Sequence, residues 1–530
     1  MPNDSPPTQP RFRLAIAGSG IAGLTLAIAL GQFDDPVSPV EIDIYESGPE
    51  ITTVGAGISV WPRTWAIMRR LGLHDELMQE AVKGKWETKK NQDEGSTLHQ
   101  AGGDDGDCEE TWRPAFVGLP PLPLALFHAY PRAHTWRDHD APRLHGPRPH
   151  LPAHCTIHTT KRLVSYNPPS RSSTAINGAY TPHFVDGTHA SDDVLVGADG
   201  IKSEVRSAMY THTHARDYDS TPVAACARCA RSRPKWTGTV VYRYLIPTER
   251  LREVNPAHHT LHVMAPMSVS AGPASIVLFE ADALSAVGKH IITYPISHGK
   301  YLNWIGFVTR PGKEGTEYPH KWVLDADQDD VVREFTGWEP EVDQMIAVPR
   351  LLLLARIADS LAQCVEDPKL WAIHDIEDLP FSVSGGVALI GGAVRAMTTH
   401  LGAGGGQAIG DAYLLGTLLT DPRTSPSRLP RVLEIYQAVR LPFARAVVRN
   451  ARTVGLMYEF NSPGLYAADP AHGEPTAVGV RSGEEDRGRE TAADVDWQWK
   501  EKVEKQWAEA ERMMDELEGR AAPPHRRLER

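Results

Sequence analysis

The chain has 530 residues, 41% of them apolar and 23% charged, with a formal net charge of −12. This is the composition of a folded protein, and the length asks for two domains with tails rather than one core. The acidic balance, with no broad basic face, excludes a nucleic-acid role, and no apolar run approaches the roughly eighteen residues of a membrane span.

The N-terminal MPNDSPPTQPRFR lacks the apolar stretch of a signal peptide, so a soluble cytoplasmic protein is expected. RFRLAIAGSGIAGLTLAIAL (11–30) then reads as a strand, a glycine turn and an apolar helix, and EIDIYES (41–47) as a second strand with Glu46 at its end. The turn Gly18, Gly20, Ile21, Ala22 and Gly23 carries glycines in GxGxxG spacing. The first makes the turn, the second lets a pyrophosphate approach the backbone, and the third packs helix on strand. Glu46 sits where a ribose hydroxyl is accepted. TTVGAGISVWPRTWAIMRRLGLHDEL (52–77) is a further glycine turn leading into an amphipathic helix.

Residues 83–112 are polar and acidic, read as an exposed loop or the ragged edge of a second sheet. From His128 to His158 seven histidines stand among prolines and arginines. Their drifting intervals and the prolines argue for an irregular excursion rather than a metal site. VLVGADGIKSEVRSAM (194–209) restores order as a buried strand, a turn at Asp199–Gly200 and a helix carrying Arg206. Five cysteines, at 108, 155, 226, 229 and 364, make no disulfide framework. CARC, at Cys226 and Cys229, offers half a zinc site or a redox pair. With no second CxxC and no spaced histidine pair, it is read as two reduced thiols in a loop.

Strand-like alternation runs from TGTVVYRYLIP (237–247) through HHTLHVM, SIVLFEA and KYLNWIGFVTR, predicting a separate antiparallel sheet. Helical segments (328–364), WAIHDIEDLP (371–380), the glycine-rich VALIGGAVRAMTTHLGAGGGQAIGDAYLLG (387–416) and a long helix (433–460) follow. After a linker (461–493), DVDWQWKEKVEKQWAEAERMMDELEG (494–519) sets Trp499, Val503, Trp507, Ala510, Met514 and Leu517 on one helix face. That face docks on the body or on a partner chain; docking on the body is the expectation, and a homo-oligomer the alternative.

Only the first glycine turn has the full dinucleotide setting. The segments 11–47, 194–206 and 388–416 are therefore read as converging on one long cofactor. A flavin fits: its ribose on Glu46, its pyrophosphate at the first helix, and its ring carbonyl on the backbone N–H groups of Gly404–Gln407.

GSGIAG with Glu46, VGADGIKSEVR and GGAVRAMTTHLGAGGGQAIGDAYLLG together resemble the signatures of the single-component FAD-dependent aromatic hydroxylases. GAGISVWP, KWTGTVVYRYLIP and RLPFARAVVRNARTVGLMYEF resemble the fungal salicylate hydroxylase-like branch. The resemblance covers about 11–80 and 155–460. It implies an α/β fold: a Rossmann-like FAD domain (11–80, 155–210, 375–460) interleaved with a mixed or antiparallel-sheet substrate domain (81–154, 211–374), plus the C-terminal helix.

It also implies FAD as cofactor and NAD(P)H as co-substrate. O2 would add at the flavin C4a carbon, and the resulting hydroperoxide would hydroxylate a small aromatic such as a salicylate-like acid. The alternatives are epoxidation or hydroxylation of another metabolite, or a non-catalytic relative. By the same pattern Gly57, Arg132, Asp199, Arg206, Gly392, Gly402, Gly404 and Gly405 belong around the FAD. Arg243, in VYRYLIP, is the candidate for a substrate carboxylate. His400 is the candidate for a phenol proton, on the strength of its unperturbed pKa. The chain departs from the family where an aspartate that bonds the flavin's ribityl chain is replaced by Gly392, and a histidine by Arg395. Thr399 stands for a proline, and Gly410 for an acid. Losing the aspartate is expected to cost about 1.5–3 kcal/mol of FAD binding.

Overall fold

The computed structural model describes residues 10–51, 61–80, 150–169, 178–217, 222–264, 277–279, 288–296, 299–310, 312–355, 368–376, 378–459 and 503–519. β1 (Arg13–Ala17) and β2 (Glu41–Tyr45) pair in parallel, with the Ile21–Phe33 helix as the crossover between them. β1 is buried on both faces from Leu14 to Ala17, which is why it reads as a continuous apolar run rather than an alternating one. β3 (Cys155–His158) extends the sheet beyond β2. β4 (Leu163–Asn167) and β5 (Thr181–Phe184) form a small antiparallel pair. β6 (Val194–Gly197) then returns to the other flank of β1, Leu14 facing Val194. Because β2 and β6 lie on opposite sides of β1, the sheet has a switch point there. Ligands of open parallel sheets bind outside the strand ends at such a point.

The second sheet is antiparallel. It is built from β7 (Lys235–Pro247), β8 (Val277–Phe279), β9 (Lys289–Ile296), β10 (Tyr301–Thr309), β11 (Val323–Asp325) and β12 (Lys369–Asp375), in the order β11-β12-β7-β10-β9-β8. Alternate residues give it two faces. Tyr242, Tyr244, Trp304 and Val308 pack under the Gln328–Phe335 and Pro340–Ala355 helices. By register the other face carries a row of Trp371, Val241, Phe307 and His290, and next to it a row of Lys369, Arg243, Ile305 and Ile292. One expected strand is not one. HHTLHVM folds as a helix, His259–Met264, because Asn255 accepts from Ala257 N–H and the His258 ring accepts from Thr260 N–H. These local bonds turn the chain before it can extend.

β13 (Val383–Ser384) and β14 (Val387–Leu389) complete the first sheet, β14 parallel to β6. The Gly404–Thr420 helix lies directly on the Ile21–Phe33 helix, where a Cβ at Gly416 would stand 2.7 Å from that of Ala29. The Leu429–Tyr458 helix closes the core. Over its described part the C-terminal helix, Val503–Leu517, docks on the body, burying Val503, Ala510 and Met514 in the main core. No described helix is long and apolar enough to cross a membrane.

Candidate cofactor site at the strand ends

The first glycine turn lies at the end of β1. Gly18 has φ +103°, and a Cβ there would meet Ala198 O at 2.6 Å. A Cβ at Gly23 would strike Gly18 O at 2.0 Å, so helix and turn touch backbone to backbone. At Gly20 a Cβ would meet nothing within 4 Å, and no side chain caps the helix that Ile21 and Ala22 begin. Its first N–H groups face open space, which is what an anion needs. Beside them, Glu46 accepts from Ser19 N–H at 3.1 Å, Ser19 Oγ at 2.5 Å and Gly48 N–H at 2.7 Å. Burial pushes its carboxyl up, but these bonds outweigh burial and hold it below its ordinary value. The acid is ionised and aimed before anything binds.

Two other segments close on this turn. A Cβ at Gly391 (φ +59°) would lie 2.8 Å from that of Ala22, and one at Gly392 would lie 3.4 Å from Gly200 Cα. Asp199 spends one carboxylate oxygen capping the next helix, accepting from Glu204 N–H at 2.9 Å and Val205 N–H at 3.1 Å. Its Oδ1 is buried with no hydrogen-bond partner, and burial raises its carboxyl. Arg206 is placed differently from a phosphate ligand. Its guanidinium donates to three carbonyls, Ser232 O at 2.7 Å, Ala393 O at 2.8 Å and Ile201 O. It clamps the segment after Gly392, and burial lowers its pKa to about 10.

The second helix start repeats the device. Gly402 turns the chain at φ +57°, Gly404 is open to a Cβ, and no side chain caps the helix at Ala403; Gly405 lies in the first turn. Beneath it is a polar core that sequence reasoning missed. Asp411, fully buried, accepts from Gly391 N–H at 3.0 Å, from Arg440 Nε at 2.8 Å and from Arg395 Nη2. Arg440 also reaches Gln506 at 2.7 Å and Gln407 at 3.0 Å, and Arg63 reaches Gln506 at 2.5 Å. A Cβ at Gly410 would stand 3.3 Å from Arg440 Nη2. The glycine thus stands beside the guanidinium where a longer side chain would crowd it. The available signal was Gln407 and Asp411, four apart on an otherwise apolar helix.

His400, just before this turn, is enclosed. Its ring packs on Phe307 (4.8 Å between centroids) and His290 (5.2 Å), and a Cβ at Gly455 would come within 2.3 Å of it. Burial first, then the neighbouring His290, press its pKa to about 3, so the ordinary imidazole value behind its expected role is not kept. Glu459, whose Oε1 lies 3.3 Å from His290 Nδ1, is pushed up to about 7 by burial. Through Phe307 and His290 the second sheet meets the first domain here. Arg243 lies one row along the same face and donates from Nε to Asn303 Oδ1 at 3.0 Å. Gly57 and Arg132 lie outside the described residues, as does most of the histidine-rich tract. Its described members, His150, His154 and His158, lie against three separate carboxylates, Glu76, Asp34 and Asp43.

An interrupted parallel sheet with a glycine turn at its switch point, joined to an antiparallel sheet, is the fold of flavin-dependent monooxygenases. A salicylate hydroxylase caught with its substrate superposes with a TM-score of 0.64 at 24% identity, covering 95% of this chain and 98% of that one. In sequence, an FAD-dependent monooxygenase of Strobilurus tenacellus is 29% identical over 84% of this chain and 89% of its own. A salicylate hydroxylase of Pseudomonas putida is 27% identical over 94% of each. No family model matches the chain. The chain is a homologue of the FAD-dependent monooxygenases and salicylate hydroxylases, and so an oxidoreductase.

Proposed function

We propose that this protein is a cytoplasmic FAD-dependent monooxygenase that uses NAD(P)H and O2 to hydroxylate a small aromatic acid. One observation carries the reading. Two uncapped helix starts, the anchored Glu46 carboxylate and the orphaned Asp199 Oδ1 converge at the switch point. That donor set fits FAD. Glu46 would take the adenosine ribose, and the Gly18–Gly23 turn the pyrophosphate. The amides of Gly404 and Gly405 would take the ring carbonyl, where reduction places negative charge, while Gly402, whose own N–H donates to Thr399 O at 2.9 Å, makes the turn before them. Gly57 and Arg132 are assigned to the same site from the family resemblance alone. The FAD domain is drawn from 11–80, 155–210 and 375–460, and the substrate domain from 81–154 and 211–374.

When bound, FAD would take two electrons from NAD(P)H and pass them to O2, one oxygen atom going to the substrate and one to water. This chain's residues bind, orient and dry the site. Arg243, its guanidinium steadied by Asn303, would hold the substrate carboxylate in a two-point grip. Phe307, Val241 and Ile305 give the same face an apolar floor that excludes water. His400, neutral near pH 7, would accept a hydrogen bond from a phenolic hydroxyl rather than carry its proton away.

The test is the flavin spectrum of purified protein and its NAD(P)H oxidation with a panel of aromatic acids. Yellow protein stimulated by acids, with a raised KM in Arg243→Gln, is the expected outcome. Stimulation by uncharged lipophilic substrates alone would favour epoxidation or hydroxylation of another metabolite. Colourless protein that takes up no FAD would favour the non-catalytic relative, for which the neutral Gly392 is the structural argument.

A further inference from the structure

The CARC motif gains a third neighbour in the folded chain. The sulfurs of Cys226 and Cys229 and a ring nitrogen of His214 all lie within 4.8 Å of one another. His214 stands in the last turn of the Glu204–Asp217 helix, and the cysteines bracket the turn that opens the short Ala227–Ala230 helix. All three are buried, at 3% (His214), 8% (Cys226) and 3% (Cys229) exposure. We propose that His214, Cys226 and Cys229 form a zinc site, a two-thiolate, one-imidazole set with water as the fourth ligand.

Ligand chemistry comes first. Thiolate sulfur and neutral imidazole are the donors zinc prefers, and two cysteines two residues apart with a histidine from a neighbouring helix supply them at one point. Charge comes second. Two thiolates and a neutral imidazole cancel the dication, so burial costs little. The other close group of this kind among the described residues, His290, His400 and Glu459, would leave a net positive charge in the core.

Both thiol protons leave to solvent as the cation binds. Access comes last. A cavity of about 410 Å³ is lined by Cys229, Ser232, Tyr210 and Val223, giving an entry path and room for the water.

The site would act on architecture rather than on the flavin. It ties the helix whose Arg206 grips Ser232 and Ala393 to the segment that leads into β7, the strand bearing Arg243. It would therefore stiffen the joint between the two sheets.

The experiment is elemental analysis of the full-length, untagged, flavin-loaded protein purified without chelator, beside a cobalt titration of the zinc-stripped wild type. The expected result is about one zinc per chain, with a thiolate-to-cobalt charge-transfer band in the titration. Cys226→Ser and His214→Gln should each weaken zinc binding by at least about tenfold. Wild-type protein that takes up neither metal would overturn the proposal, even if the variants fail to fold. So would zinc retained in a Cys226→Ser/Cys229→Ser double variant.

Discussion

The turn at Gly18–Gly23 and the turn at Gly402–Gly405 both present an uncapped helix start to the crevice, yet their supports differ. Around the first, everything needed is local: strand, glycines, helix and the acid at the next strand end, with Glu46 bonded to Ser19 and Gly48. Around the second, support comes from a buried cluster of Asp411, Arg395, Arg440, Gln407, Gln506 and Arg63, gathered from five separate elements. The first turn carries its charge toward the ligand. The second carries its charges behind the backbone, and at Gly392 shows the ligand no side chain at all. A single buried carboxylate facing several guanidiniums is a costly arrangement, kept together only by the whole fold.

The largest expected difference lies in that cluster. Asp411→Asn removes the only carboxylate paired with Arg395 and Arg440 among the described residues, and should cost about 3–5 kcal/mol in urea unfolding. Ser19→Ala at the first turn should cost only about 1 kcal/mol. Equal losses would break the contrast.

Acid should also act on the second wall. His290 and His400 are pressed to about 3 from an ordinary 6.5, so the unfolded chain binds their protons first, and the stability they lend is lost as pH falls below 6.5. Glu459, raised to about 7 from 4.5, works in the opposite sense, its contribution being present at low pH and lost as pH rises through 7. Arg452 also faces His400 and disfavours its protonation. From these three groups the net is one proton between pH 4.5 and 6.5 and two below 4.5. These correspond to slopes of about 1.4 and 2.7 kcal/mol per pH unit. His400→Gln should lower each slope by one proton; an unchanged slope would show that the ring is hydrated.

At the first turn, Glu46→Gln should raise the FAD dissociation constant about ten- to hundredfold in a flavin-fluorescence titration. Unchanged affinity would put the ribose elsewhere. The smallest effect is a gain. Gly392→Asp has ordinary van der Waals room beside Gly200 and should tighten FAD about tenfold, or 1.4 kcal/mol. No gain would mean that position 392 does not face the ribityl chain.

What the sequence by itself determined was whatever is carried by neighbours along the chain. The β1 run, the Gly18–Gly20–Gly23 spacing, Glu46, the Asp199–Gly200 turn and the long alternation of β7 and β10 were legible because backbone geometry and side-chain period are local properties. HHTLHVM was misread because Leu261 and Val263 alternate with Thr260 and His262 as in a strand, while its hydrogen bonds turn it into a helix. Tertiary structure alone decided which distant groups meet. It brought Asp411 to two arginines, enclosed His400 with His290 and Glu459, spent Arg206 on three carbonyls and set His214 beside Cys226 and Cys229. The energies of these groups depend on burial and on partners far away in sequence, and no local pattern records either.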